Sequence, residues 1–150
     1  MEDLSQMPKT LVAYFSCTGT TKKEALKLAD EVGADVYEIK PVIPYEKNDL
    51  NWMDKNSRTT IEMNDPASRP EFINDGFDVS PYDEIYLGFP IWWYVAPHII
   101  NTFLESADFS GKKIILFATS GGSEFGKTVE KLKISAGDNC EIIEGTINGR

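Results

Sequence analysis

Two patterns of apolar positions alternate along the chain. Leu11-Val12-Ala13-Tyr14-Phe15 is an unbroken apolar run, as expected of a strand covered on both faces rather than one with a wet side. From Thr20 the period lengthens: Ala25, Leu28, Ala29 and Val32 recur at i, i+3, i+4 and i+7, with Lys22, Lys23, Lys27, Asp30 and Glu31 on the opposite face. That spacing predicts an amphipathic helix over 20–32, closed by Gly33. Residues 35–39 read as a second strand, ended by Pro41 and Pro44 because proline removes a ladder donor and fixes φ. Residues 84–89 make a third strand, which Pro90 ends. Pro97 suits the first turn of a helix whose buried stripe is Ile99, Ile100, Phe103, Leu104 and Ala107. A fourth strand is predicted over 113–118, as apolar as the first. Phe125, Val129, Leu132 and Ala136 mark another helix, and 141–144 a fifth strand.

Strands alternating with helices imply a parallel sheet, right-handed crossovers and helices on both faces, a doubly wound α/β domain. At 150 residues the chain is one domain's worth. In such sheets a ligand sits beyond the carboxyl ends of the strands, where the winding reverses. Attention therefore falls on the loops after strands one, three and four. The stretch 42–82, rich in Asn, Asp, Pro and Ser with a short helix expected near 49–56, is functional or mobile, or else an ordered cover for one sheet edge.

Ser16-Cys17-Thr18-Gly19-Thr20-Thr21 lies between the first strand and the first helix. Unpaired N–H groups and partial positive charge gather at a helix N-terminus, Gly19 permits close approach or positive φ, and the hydroxyls of Ser16, Thr18, Thr20 and Thr21 add donors. These make a phosphate cup of neutral dipoles, since the six residues include no Lys or Arg. A helix cap alone needs one hydroxyl. After strand three come Pro90, Ile91, Trp92, Trp93 and Tyr94, whose adjacent rings offer a stacking platform; packing onto neighbouring helices or a dimer contact is the alternative. After strand four, Thr119, Ser120, Gly121 and Gly122 let backbone amides approach a ligand edge, although glycine turns are common. A ligand with a phosphate at one end and a planar heterocycle at the other would use all three loops. Flavin mononucleotide (FMN) fits that description.

At these residues the chain resembles the flavodoxin-like family, whose phosphate-loop pattern (S/T)-x-T-G-x-T is matched by Ser16 to Thr21. Pro90 to Tyr94 are similar to the family's flavin-flanking loop, and Thr119 to Gly122 correspond to its third flavin loop. The segment 54–70, with Asn56-Ser57-Arg58, Glu62-Met63-Asn64 and Arg69-Pro70, looks like a branch of small bacterial flavodoxin-like proteins. The resemblance implies strand order 2-1-3-4-5, bound FMN, and electron-transfer or flavin-dependent reductase activity. Two departures stand out. The third loop lacks the Tyr that commonly covers the outer flavin face, so one face would stay open to a substrate. The family also continues into a final helix, whereas this sequence stops at Arg150 after the fifth strand. Apolar side chains of the first two strands would then lie bare, and a homodimer through that face, or the long loop 42–82 folded over it, is the expectation.

A formal net charge of -9 argues against a nucleic-acid surface and for a redox partner with a basic face, with NAD(P)H and a quinone-type acceptor as the small-molecule alternative. The same charge and stacked rings would raise the cost of a negatively charged reduced flavin. Without a membrane span or an export signal, a cytoplasmic location is expected. No metal site is indicated, because Cys17 and Cys140 lack the spacing of a zinc motif. No protein acid or base is required, and His98, in a helical first turn, reads as a surface or capping residue. The rival reading is a small cysteine phosphatase with Cys17 as nucleophile. Its C-x5-R pattern would need Arg where Lys23 stands, a poor substitute for a bidentate fork.

Overall fold

The computed structural model describes the chain apart from residues 1–8, 17, 18, 51, 52, 66, 74–76, 92–94, 120–124, 138, 149 and 150. The elements are β1 (Thr10–Tyr14), α1 (Thr20–Val32), β2 (Asp35–Glu38), a 3-10 turn (Lys47–Leu50), α2 (Arg58–Asn64), β3 (Glu84–Pro90), α3 (His98–Glu105), β4 (Lys113–Thr119), α4 (Thr128–Ala136) and β5 (Glu141–Asn148). The strands form one parallel sheet in the order 2-1-3-4-5. This is the expected doubly wound, flavodoxin-like fold.

Because residues alternate across a strand, each strand of the sheet contributes to two cores. Leu11, Ala13 and Phe15 share the larger core with Ile85, Leu87, Phe89, Ile114, Leu116 and Ala118, packed under Ile99, Ile100, Phe103 and Leu104 of α3. On the other face Val12, Tyr14 and Phe117 meet Ala25 and Ala29 of α1. The buried stripe of α1 is Thr21, Ala25 and Ala29, narrower than its apolar pattern suggested, and Val32 is exposed. Gly33 ends the helix as expected, at a left-handed φ of 69° that costs a residue without Cβ nothing.

Three expectations are corrected. The helix expected near 49–56 is replaced by the 3-10 turn and by α2, which starts where Ser57 accepts a hydrogen bond from the Thr60 N–H. That capping signal, rather than an apolar stripe, marks the element, and Ile61 within it is exposed. The fifth strand runs on to Asn148, because Gly145 fits a spot where a Cβ would come within 2.3 Å of the Leu116 carbonyl oxygen, beside a register shift in β4. Finally, the apolar residues of β1 are not bare: Val12 and Tyr14 are buried beneath α1. On that face Val36 of β2 is exposed, and Tyr86, Ile115 and Ile143 are half-covered.

The described residues of the long connection after β2 cover the sheet beside β2. Phe77 stacks on Tyr37 with ring centroids 4.1 Å apart, Phe72 meets Phe103 edge-on, and Val79 and Tyr82 are buried. The Tyr82 hydroxyl donates to Asp35 at 2.8 Å, and burial together with that bond pushes its pKa up to about 12. At the amino edge of the sheet, buried Lys112 donates from Nζ to the carbonyls of Tyr82 at 2.6 Å and Ser80 at 3.3 Å.

Gly88 faces Phe117 across the β3–β4 ladder, and a Cβ there would lie 2.1 Å from the ring. Gly88→Ala is therefore expected to destabilise the fold by about 1–3 kcal/mol. Denaturant unfolding should show most of that loss recovered when Phe117 is also replaced by Leu. An equal penalty in both backgrounds would mean that the ring is not the cause.

Candidate functional site

The carboxyl ends of β1, β3 and β4 stand side by side because the ladder continues past the strands. The Phe15 N–H donates to Gly88 O at 2.9 Å, and the Ile91 N–H to Thr119 O at 3.0 Å, where Pro90 pairs with Thr119. Three neighbouring strands place the loop starts across about 10 Å of one rim. The winding reverses between β1 and β3, so the rim holds the switch point.

At the head of α1, Gly19 is the N-cap at φ 91°, and among the described residues no side chain caps the helix. Its N–H donates to Ser16 Oγ at 3.1 Å, which curls the loop back over the helix start. Thr20 is exposed at the first helical position. Thr21 is buried instead, its hydroxyl sharing a 2.8 Å hydrogen bond with the hydroxyl of buried Thr119. One pair of hydroxyls thus ties the loop after β1 to the end of β4, a contact invisible in the sequence because 98 positions separate the partners. Pro90 and Ile91 are half-buried where the β3 loop begins. Cys17, Thr18, Trp92, Trp93, Tyr94, Ser120, Gly121 and Gly122 lie outside the described residues.

Beside Ser16 opens a cavity of about 290 Å³ walled by Phe15, Pro41, Pro44, Tyr45 and Ile73, with Glu38 and Lys40 also on its lining. Tyr45 holds this wall, packing edge-on to Phe15 at 5.6 Å and donating to Glu62 at 2.5 Å. Arg58 lies 3.7 Å above the Tyr45 ring and pairs with the same carboxylate at 2.8 Å. Nothing in the apolar pattern pointed to this cluster. The Arg58–Glu62 spacing of i, i+4 was its only local trace.

His98 differs from its expected surface role. It is half-buried, its Nδ1 lies 2.5 Å from Ser68 Oγ, and its pKa is lowered by burial and by nearby Arg69.

Among known proteins, the sequence model of the family described as Flavodoxin matches residues 9–150. The chain belongs to the flavodoxin family. The fold is similar to that of a protein classed as a flavoprotein from Bacteroides eggerthii, at 45% identity and a TM-score of 0.89, covering 96% of this chain and 90% of that one. A counterpart from Bacteroides uniformis gives 46% identity and a TM-score of 0.88, over 95% of this chain and 90% of that one. A Lactobacillus acidophilus flavoprotein solved in complex with FMN gives 25% identity and a TM-score of 0.75, over 95% of this chain and 94% of that one. No curated protein matches. Among the described residues, no helix is long and apolar enough to cross a membrane.

Replacing Thr119 alone by Val strands the buried Thr21 hydroxyl and is expected to cost about 1–3 kcal/mol. Thr21→Val combined with Thr119→Val keeps the shape and removes both polar groups. Thermal unfolding of this flavodoxin should then place the double variant close to the parent. Additive losses would show that the two hydroxyls do not depend on each other.

Proposed function

We propose that this flavodoxin binds FMN at the rim of β1, β3 and β4 and carries electrons between partners. The observation that carries the reading is the head of α1: a helix start with no side-chain cap, a left-handed Gly19, and hydroxyl residues around it, at the switch point of the sheet. Backbone dipoles of α1 and the loop 16–21 would hold the phosphate, with Ser16, Thr18, Gly19 and Thr20 nearest to that role. Thr21 would act through its bond to Thr119, fixing the loop rather than facing the ligand. Pro90, Ile91, Trp92, Trp93 and Tyr94 would flank the flavin ring, and Thr119, Ser120, Gly121 and Gly122 would present backbone to its edge. The flavin, when bound, supplies the redox chemistry. The family match supports this reading, and so does the FMN complex of the Lactobacillus relative. The phosphatase reading has no comparable support.

Thr18→Ala and Thr20→Ala should each weaken FMN by about 1.5–3 kcal/mol per lost bond to the charged phosphate. Riboflavin affinity should stay unchanged, and calorimetry with both ligands separates phosphate binding from general damage. Equal weakening of the two would remove the phosphate assignment.

Flavin fluorescence should be strongly quenched in the holoprotein and partly restored by Trp92→Ala or Trp93→Ala. Unchanged emission and affinity in both variants would make these rings structural. A net charge of -9 suits docking to a basic electron-transfer partner. Holoprotein acting only as a carrier should consume almost no NAD(P)H by itself. Sustained consumption would instead make the protein a reductase.

A further inference from the structure

A second cavity, of about 130 Å³, lies between α3, α4 and the segment after α2. It is roughly four waters in volume, enough for one small ring. Met63, Val95, Ala96, Leu132 and Ile134 give it apolar walls, and its polar lining comes from His98, Asn101, Lys131 and Arg69.

The surrounding hydrogen bonds fix which atoms of His98 and Asn101 remain for a ligand. Ser135 donates its only hydroxyl proton to Glu105 at 2.7 Å, so its oxygen must accept from Asn101 Nδ2 at 2.9 Å. The same Nδ2 also donates to the Lys131 carbonyl at 3.3 Å. The amide orientation follows, and Oδ1 is turned away from both partners. Asn101 is only 6% exposed, yet among the described residues its Oδ1 has no hydrogen-bond partner and no fully buried polar atom is unsatisfied. Oδ1 therefore keeps some exposure, and Asn101 is one of the residues that line the cavity.

A parallel argument holds for His98. Ser68 donates its hydroxyl proton to Glu62 O at 2.7 Å, so Ser68 Oγ must accept from Nδ1–H of the imidazole. In the neutral ring Nε2 then carries a lone pair and has no partner among the described residues. Burial, Arg69 and Lys131 disfavour protonation of this ring and outweigh the opposing Glu62 and Asp65, so the neutral form prevails at neutral pH.

His98 and Asn101 both line the cavity, each with an unpartnered acceptor atom, and lie three positions apart on α3, so about 5–6 Å between Cβ atoms. Lys131 supplies a donor, and its ammonium has no salt-bridge partner among the described residues. Arg69 is already paired with Glu105 at 2.9 Å. A carboxylate or phosphate would face two acceptor lone pairs, and a cation would face Lys131 and Arg69. A neutral group with adjacent N–H donors and a carbonyl meets neither obstacle.

We propose that this cavity binds a small planar molecule through a primary carboxamide edge, with its N–H groups on Asn101 Oδ1 and His98 Nε2, its carbonyl on Lys131, and its ring against the apolar walls. The cavity shares no lining residue with the FMN site proposed above, although Val95 directly follows Tyr94 in the chain.

His98 is the only histidine in the chain, so its ring nitrogens can be read without assignment by long-range nitrogen–proton correlation on the full-length protein. In the free protein at neutral pH, Nδ1 should be protonated and Nε2 bare. Benzamide should shift Nε2 saturably, whereas benzoate should leave it in place. Asn101→Leu should weaken benzamide roughly fivefold, the worth of one hydrogen bond. Should that buried change prevent folding, exposed Lys131→Met carries the test with the same expected loss. A bare Nδ1 in the free protein, a benzoate shift matching that of benzamide, or no saturable response to benzamide would each overturn the proposal.

Discussion

Right-handed crossovers on a parallel sheet are the constraint from which the rest of the molecule follows. The chain leaves β1 toward β2 and later returns past β1 to β3, so α1 lies on one face and α3 and α4 on the other. That reversal separates the loops after β1 and β3 and leaves room at the rim between them. Main-chain hydrogen bonds from Phe15 and Ile91 hold the ends of β1, β3 and β4 side by side, and the Thr21–Thr119 hydroxyl pair ties the start of α1 to the end of β4.

What could be read from the sequence is what local periodicity encodes. The strands buried on both faces announce themselves as apolar runs, and α1 is marked by Ala25 and Ala29 together with a glycine stop at Gly33. Ser16 to Thr21 carry a motif that is informative because it directly follows a strand, so the family was legible before any coordinates. The Thr21 hydroxyl was legible only as a donor. That it faces inward to Thr119 depends on register across the sheet, which no local window contains.

The connection from β2 to β3 was the least legible part, for a physical reason. Its aromatic residues are scattered without period, yet Phe72, Phe77 and Tyr82 all join the larger core or its margin, where tertiary packing rather than an amphipathic stripe holds them. Its polar residues also work over long range: Arg69 reaches Glu105, and Ser68 reaches His98. A histidine at a helix start therefore looked like a surface residue, although a loop thirty positions away lies over it.

The two edges of the sheet are finished in opposite ways. At the amino edge the Lys112 ammonium is buried against the carbonyls of Ser80 and Tyr82, and the Asp83 and Glu84 N–H groups are taken up by Lys9 O. That side is closed by the chain's own polar groups, whereas the carboxyl edge ends in a helix start without a side-chain cap. Were FMN held at the rim, as proposed, a reductant and an oxidant that both need contact with it there would have to take turns, the first departing before the second arrives.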